Sequence, residues 1–356
     1  MKKHAIIPIF IPHKGCPNDC IFCNQRKITA HNDDVTINDI HKTVNEYMST
    51  LSDMNMETIE LSFFGGSFTG LPMEEQNKFL KVAKEYKDKG VIQKIHLSTR
   101  PDYISEAVLD NLKSYEVDVI ELGVQSFSEK VLKASNRGHD AACIYKSCDL
   151  IKQYGFILGI QLMIGLPEDS LKYDLFSAME TVKIKPEIAR LYPTVVIKDT
   201  ELYEQMKQGF YVPMTEEDAV LRTSAMYRIL TKAGINVIRV GLKSSDIMSD
   251  ENNTSGTFHP AFRQLVEGQI AREDLEEQIK KIYVDNNFVK AIALVSNDKC
   301  RNNIFGHKAL NKQYFENKYK GIDFKYIIDA KLGLNLSDNE YLAVDLSNTI
   351  EKGDIK

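Results

Sequence analysis

Three cysteines lie close together near the start of the chain. Cys16, Cys20 and Cys23 have the spacing C-x3-C-x2-C, and three thiolates on one short segment can bind one metal centre from one side. Structural zinc sites usually have four ligands, and the nearby His13 and His31 lie outside common zinc spacings. On a four-iron cluster, three cysteines leave one iron open for a further ligand. A zinc knuckle and three unrelated cysteines are the alternatives, and the spacing favours the cluster.

The composition restricts the class of protein. The chain has 356 residues, of which 43% are hydrophobic and 27% are charged, and its formal net charge is -5. These values are typical of a globular protein and exclude a collagen-like or disordered chain. The sequence has no run of 18 apolar residues, so we expect no membrane span. The apolar run after Met1-Lys2-Lys3 is short and interrupted by prolines, which predicts a strand of a cytoplasmic protein rather than a signal peptide.

The elements that must position the cysteines alternate between strand and helix. Helical patterns with a period of 3.6 residues separate the strand-like segments, for example over residues 37–51 and 220–230. The strands are apolar or β-branched on both faces, as in a covered parallel sheet. Repeated β-α units predict a parallel barrel, complete or partial, with its site at the carboxyl ends of the strands. The predicted strands are 5–11, 58–64, 92–98, 117–124, 157–164, 188–197 and 236–242.

The pattern changes after residue 242. Residues 244–257 are polar and predict a loop, and a charged amphipathic helix follows over 262–283. We therefore expect a barrel over 1–245, a loop and helical connector over 246–285, and a small α/β unit with a tail over 286–356. Residues 286–330 contain 8 Lys or Arg and 4 Asp or Glu. This local positive charge in an acidic chain is a weak indication of a nucleic-acid surface.

The cysteine motif resembles the signature of radical S-adenosylmethionine (SAM) enzymes, because aromatic Phe22 precedes the last cysteine. The segment Phe64-Gly65-Gly66-Ser67-Phe68-Thr69 follows in the expected order. The resemblance implies a partial (β/α)6-type parallel barrel, with a [4Fe–4S] cluster on Cys16, Cys20 and Cys23. It also implies that the loop of Gly65, Gly66 and Ser67 receives the SAM amino group, with Phe22 close to the cofactor. An ordinary turn between strand and helix is the alternative for this loop.

Further motifs are similar to those of one subgroup, which contains oxygen-independent coproporphyrinogen oxidase and the Elongator catalytic subunit. They are Gly123-Val124-Gln125-Ser126-Phe127, Arg137-Gly138-His139 and Gly165-Leu166-Pro167. The similarity implies that Gln125 and Arg137 contact the SAM ribose or carboxylate. Gln161, on the fifth strand, is a third candidate SAM contact.

Three segments resemble the Elongator type most closely: Ser98-Thr99-Arg100-Pro101-Asp102, the run from Arg190 to Thr194, and Lys198-Asp199-Thr200. Arg100, Tyr192 and Lys198 fall at the carboxyl ends of predicted strands, where they would orient substrate. Surface and turn residues are the alternative interpretation. The chain lacks an acetyl-CoA loop, and its tail is too short for an acetyltransferase domain. Carboxymethylation of a wobble uridine by this chain alone is therefore not expected.

The C-terminal unit resembles a degenerate KH module. Its turn Gly306-His307-Lys308-Ala309 occupies the place of the GxxG loop that clamps a nucleic-acid backbone, and a small α/β cap on the barrel is the alternative. If it is KH-like, Gly306, His307 and Lys308 would bind RNA.

The resemblance therefore implies an enzyme, a transferase or an oxidoreductase, that modifies tRNA or another RNA and does not act on DNA. A flavodoxin or ferredoxin would supply the electron that cleaves SAM to a 5′-deoxyadenosyl radical. Two alternatives stay open: a radical SAM enzyme acting on a small metabolite such as a tetrapyrrole, and a non-catalytic cluster or haem carrier.

Overall fold

The computed structural model describes residues 4–11, 20–24, 35–51, 54–242, 254–256, 258–285 and 288–347. Cys16 lies outside the described residues. The chain forms two compact units, Met1–Pro260 and Ala261–Lys356. Within the described ranges, no helix has the length and apolarity needed to cross a membrane.

A seven-stranded parallel sheet forms the first unit, and it is curled into a half-barrel. The strands pair in the order β1-β2-β3-β4-β5-β6-β8, which confirms the predicted parallel α/β barrel. Their bounds are β1 His4–Ile11, β2 Thr58–Gly65, β3 Lys94–Thr99, β4 Val119–Gln125, β5 Ile157–Ile164, β6 Ile188–Pro193, β7 Val195–Ile197 and β8 Asn236–Val240.

Helices connect these strands, and several begin at side-chain caps that the sequence supplies. Thr200 and Thr215, for example, accept hydrogen bonds from the backbone N–H of residues three positions later. Such caps stabilise a helix by about 1 kcal/mol each. The helices are α1 Ile37–Leu51, α2 Met73–Asp88, α3 Glu106–Ser114, α4 Glu129–Ala134, α5 Ala141–Gln153, α6 Leu171–Ile184, α7 Glu201–Lys207 and α8 Glu216–Lys232.

The outer face of the sheet packs against the helices and is apolar. Leu61 and Phe63 on β2 are fully buried there, and the ring of Phe63 lies 6.3 Å from that of Phe79 on α2. Burial of each such side chain contributes about 1.5–3 kcal/mol.

The opposite, inner face of the sheet carries polar and charged residues, although the sequence predicted strands that are apolar on both faces. Alternate positions of the central strands carry Glu60, His96, Glu121, Gln161 and Arg190 there. Because successive side chains point to opposite faces of a sheet, these residues share one side of it. Their charges are tolerated because they are paired with one another, as described below.

The predicted strand 188–197 is two strands. β6 ends at Pro193, which lacks a backbone N–H, and the backbone N–H of Thr194 donates to the Ile164 carbonyl at 2.8 Å. β7 then leaves the main sheet and pairs antiparallel with β9, Thr254–Gly256. The segment predicted as a loop over 244–257 therefore contains this short strand, and its residues 244–253 and 257 lie outside the described residues.

The second unit contains a long helix and a three-stranded sheet. The predicted helix is present as α9, Phe262–Asp285, and it packs against the other elements of this unit. The central strand β10 is parallel to β11 and antiparallel to β12, a strand that the sequence analysis did not predict. The remaining bounds are β10 Ala291–Ser296, α10 Arg301–Phe305, α11 Leu310–Lys318, β11 Asp323–Ile328 and β12 Tyr341–Asp345.

Candidate metal and cofactor site

Two of the three motif cysteines lie in one turn at residues 20–24. The backbone N–H of Cys23 donates to the carbonyl of Cys20 at 2.9 Å. The intervening Ile21 fixes the turn, since its N–H donates to the Ser135 carbonyl and its carbonyl accepts from the N–H of Leu202. Cys20 is buried and Cys23 is half-buried. The turn therefore presents two thiols from a backbone that is tied to two separate elements.

Two arginines contact the sulfur of Cys20. Nη1 of Arg137 lies 3.2 Å from the Sγ atom and Nη1 of Arg100 lies 3.7 Å from it. Arg137 also donates through Nη2 to the carbonyl of Gly123 on β4. Two guanidinium groups therefore direct hydrogen-bond donors at this sulfur.

Asp102 holds Arg100 in place through two parallel hydrogen bonds. Nε and Nη2 of Arg100 each lie 2.9 Å from a carboxylate oxygen of Asp102. Nδ1 of His139 lies 3.6 Å from the same carboxylate. Burial opposes ionisation of Asp102, but His139 and Arg100 outweigh it and lower the pKa of the carboxyl. For His139, burial is the largest effect, and it lowers the pKa of the imidazole despite Asp102.

The Gly65–Ser67 loop lies against the end of β1, from which the cysteine segment departs. The backbone N–H of Gly66 donates to the Ile11 carbonyl at 2.8 Å. Gly65 has φ +111°, and a Cβ atom there would lie 2.6 Å from the Ile11 oxygen. Glycine is therefore required at 65 by both conformation and space.

The predicted SAM contacts on β4 and β5 lie close to Arg137. Gln161 donates through Nε2 to Oε1 of Gln125 at 3.2 Å. Gln125 is buried and has φ +69°, a conformation that costs a non-glycine residue about 1–3 kcal/mol. A Cβ atom at Gly123 would lie 3.1 Å from Nε2 of Gln125 and 3.6 Å from Nη2 of Arg137. The structure thus places the bonded pair Gln125 and Gln161 near Arg137, which contacts Cys20.

This environment fits a bound cluster and its cofactor. The buried Nε of Arg137 has no hydrogen-bond partner among the described residues, so a donor is left for a further group. Within the described part of the chain no three potential ligands gather around one point, and the remaining motif cysteine, Cys16, lies outside it.

Phe22 and Arg100 have surroundings that the motifs did not indicate. Phe22 packs against a buried apolar cluster that includes Val196 and Leu202. Arg100 faces Cys20 and Asp102, as described above. The contacts of Phe22 are with the protein core, and those of Arg100 include Cys20, Asp102 and the carbonyl of Arg137.

A row of charged side chains crosses the inner face of the sheet. Glu60 contacts His4 at 3.0 Å and His96 at 3.3 Å, and Glu121 lies 3.9 Å from His96 and 2.7 Å from Nε of Arg190. Burial raises the pKa of Glu60, but His96, His4 and Lys94 lower it further than burial raises it. For Arg190 burial acts against the cation, yet Glu121 raises the pKa of the guanidinium.

Sequence reasoning did not find this row. Glu60, His96 and Glu121 each stand inside a strand whose neighbouring residues are apolar. A charged residue within an otherwise apolar strand is the signal that could have identified them, because burial of a charge requires a partner.

The structure separates the two remaining candidate substrate residues. Tyr192 lies on the inner face, and its hydroxyl accepts a hydrogen bond from Nη1 of Arg190 at 3.2 Å. Lys198 is exposed in the turn after β7. Of the two, Tyr192 is therefore the one connected to the charged row.

A second buried ionic group lies behind the Gly165-Leu166-Pro167 motif. Arg222 contacts Asp169 at 3.1 Å and Asp174 at 2.5 Å. Asp169 in turn accepts from the backbone N–H of Gly165 at 2.8 Å. Burial and the neighbouring Asp169 raise the pKa of Asp174 despite Arg222. This group fixes the loop after β5.

The candidate RNA-binding turn packs against the long helix of its own unit. Asn311 donates through Nδ2 to the carbonyls of Gly268 and Asn303, at 2.7 Å and 2.9 Å. Gly306 is buried there, and Nδ1 of His307 lies 3.3 Å from Oε1 of Gln264. Lys308 is exposed, with φ +49°. Of the three predicted residues, Lys308 is therefore the one best placed to meet a phosphate.

Comparison with known families gives two adjoining matches. Residues 10–176 match the radical SAM superfamily, and residues 186–272 match the radical SAM C-terminal domain. The resemblance that the motifs indicated is thus confirmed.

Individual relatives agree with this result. The chain is 28% identical over 266 residues to a tRNA uridine(34) acetyltransferase of Methanocaldococcus infernus, covering 64% of this chain and 50% of that protein. It is 30% identical over 186 residues to Elongator complex protein 3 of Homo sapiens, covering 47% and 34%. The chain thus spans about half the length, or less, of these curated relatives.

A solved structure supports the fold. The archaeal Elp3 of Methanocaldococcus infernus, with an N-terminal deletion, matches with a TM-score of 0.63 at 22% identity. The match covers 77% of this chain and 64% of that one.

Proposed function

This chain belongs to the radical SAM superfamily, and we propose that it is an enzyme that cleaves SAM reductively and modifies tRNA or another RNA. The observation that carries the proposal is the buried Cys20 thiol with Arg137 on its sulfur, in a superfamily whose chemistry depends on a cysteine-bound cluster. The names of the relatives, which include a tRNA uridine(34) acetyltransferase, support RNA as the substrate class.

Cys16, Cys20 and Cys23 would hold a [4Fe–4S] cluster, which would supply the electron that cleaves SAM to methionine and a 5′-deoxyadenosyl radical. Arg137 would bind the SAM carboxylate with its free Nε, since a buried guanidinium forms strong charge-assisted bonds to carboxylates. Gln125 on β4 and Gln161 on β5 would contact the ribose of SAM. Because Gly65 has no side chain, the loop of residues 65–67 can lie against Ile11, and this loop would receive the SAM amino group.

The inner face would receive the substrate. Tyr192 extends a hydroxyl there that Arg190 orients, and Glu121 balances the charge of that arginine. Paired charges at the centre of the sheet provide fixed dipoles for a polar substrate. Flavodoxin or ferredoxin is the class of electron donor that this chemistry requires.

The first experiment measures 5′-deoxyadenosine. The full chain is reconstituted anaerobically with iron and sulfide, and SAM and dithionite are added. We expect product from the wild type and none from Cys20→Ala. A properly loaded wild type that forms no product would contradict the enzymatic proposal and favour a cluster or haem carrier.

The second experiment tests RNA. We expect bulk tRNA to stimulate 5′-deoxyadenosine formation and to bind the chain in a gel shift at low salt. Lys308→Glu should weaken binding several-fold, because it reverses an exposed charge at the candidate phosphate contact. Lys331→Glu reverses another exposed charge on the same unit and is the matched control. Stimulation by a porphyrinogen instead of tRNA would favour the small-metabolite alternative.

A further inference from the structure

Two guanidinium groups converge on one buried sulfur. Arg100 and Arg137 are 3% and 5% exposed, and Cys20 is 5% exposed. Charge-assisted hydrogen bonds are stronger than neutral ones, and water competes little for groups this deeply buried. These two arginines therefore determine the local positive charge around the Cys20 sulfur.

Arg100 is fixed from three directions. Its Nε and Nη2 donate to the carboxylate of Asp102, and its Nη1 donates to the sulfur of Cys20. Nη2 also donates to the backbone carbonyl of Arg137. Two neighbouring cations repel each other, and the carboxylate of Asp102 offsets part of that repulsion. The bond to the Arg137 carbonyl couples the two arginines, so Arg100 cannot turn away without losing several contacts.

These contacts lead away from the substrate role that the strand-end position of Arg100 suggested. We propose that Arg100 is a positioning residue of the iron–sulfur site. Held by Asp102, it places a positive charge on the sulfur of Cys20 and, with Arg137, raises the reduction potential of the cluster. Hydrogen bonds and positive charge at a ligand sulfur stabilise the reduced, more negative cluster. The inference rests on the cluster part of the proposed function.

The test is a redox titration of the reconstituted full chain without SAM or RNA, in which electron paramagnetic resonance measures the fraction of reduced cluster. For Arg100→Gln we expect the ratio of reduced to oxidised cluster at a given potential to fall about tenfold. For one electron this is a shift of about 59 mV to more negative potential. Iron and sulfide content, measured on the same samples, shows that the cluster is loaded.

Arg239→Gln is the matched control. It makes the same substitution at a half-buried arginine of the same unit, whose Nε donates to the carbonyl of Gly241 and not to Cys20. We expect its potential to equal that of the wild type. An equal shift in both variants would show a general charge effect and would overturn the proposal, as would an unchanged potential in Arg100→Gln.

A second variant decides the matter if Arg100→Gln holds no cluster. Arg100→Lys keeps the charge but cannot form two parallel bonds to Asp102, so we expect it to load iron and to have a potential below that of the wild type. A wild-type potential in Arg100→Lys overturns the proposal. A wild-type chain that holds a cluster but does not cleave SAM contradicts the proposed function and leaves this measurement intact.

Discussion

Gly65 is the residue whose substitution should separate conformational strain from steric conflict beside the cysteine segment. It pairs with Ile11, the last residue of β1, and any Cβ atom at 65 would meet the Ile11 carbonyl oxygen at 2.6 Å. That oxygen belongs to the backbone and accepts the N–H of Gly66. Gly65→Ala therefore forces the end of β1 to move, and the cysteine segment begins there.

The expected cost has two parts. Holding alanine at φ +111° costs about 1–3 kcal/mol, and loss of the hydrogen bond between Gly66 and Ile11 costs about 1 kcal/mol. Restricting the unfolded chain returns about 0.5 kcal/mol. We expect Gly65→Ala to lower the free energy of unfolding by about 1.5–3.5 kcal/mol.

Gly90 provides the control. It has φ +70°, and no heavy atom of the described structure beyond its immediate chain neighbours lies within 4 Å of a Cβ built there. Gly90→Ala therefore measures the conformational cost alone, about 1 kcal/mol.

The assay is urea unfolding followed by circular dichroism, with iron content after anaerobic reconstitution as a second readout. Gly65→Ala should bind less iron than the wild type, because the first motif cysteine, Cys16, follows the displaced end of β1 by five residues in the sequence, and Gly90→Ala should bind the same amount. Equal destabilisation in the two variants, or full iron loading in Gly65→Ala, would refute the steric argument.

Four further predictions concern other parts of the first unit. Because the pKa of Asp174 is raised to about 8, its contribution to stability should fall as pH rises from about 4 to 8. Asp174→Asn should flatten the dependence of the urea midpoint on pH over that range, and an unchanged slope would contradict the assignment. Arg222→Met leaves buried carboxylates without their cation and should cost about 3–5 kcal/mol at pH 8, with a smaller loss at pH 5 in the same unfolding assay. Gln161→Leu removes the hydrogen bond to Gln125 and should cost about 1 kcal/mol while weakening SAM binding about tenfold by calorimetry; unaltered affinity would exclude a role at the cofactor. Cys23→Ala should abolish the cluster absorbance without changing the circular dichroism spectrum, and retained absorbance would remove Cys23 from the ligand set.

Periodicity predicted most of the fold because local pattern determines local structure. The strand on Ile157–Ile164 and the helix on Phe262–Asp285 follow their predicted bounds closely. The break at Pro193 was not predicted, because the residues on both sides of it are equally suited to a strand. Strand pairing separated β7 from the main sheet, and pairing is a tertiary contact.

The cysteine spacing, the glycine loop and the order of the motifs were sufficient to identify the superfamily, because they are local in sequence. The same motifs did not reveal that Arg100 and Arg137 meet at Cys20, since the three residues are separated by up to 117 positions in the chain. Nor did they indicate that Glu121 and Arg190 pair across the sheet.

The sequence by itself therefore determined the class of fold, the cysteine ligands to be expected and the chemistry that they imply. Only the tertiary structure decided which charges neutralise one another. It assigns Arg100 to the cysteine turn, pairs Tyr192 with Arg190 on the inner face and buries Gly306 against its own helix. The physical reason is that a charge or a hydrogen bond acts over a few ångströms of space, and only the folding of each unit brings distant positions within that range.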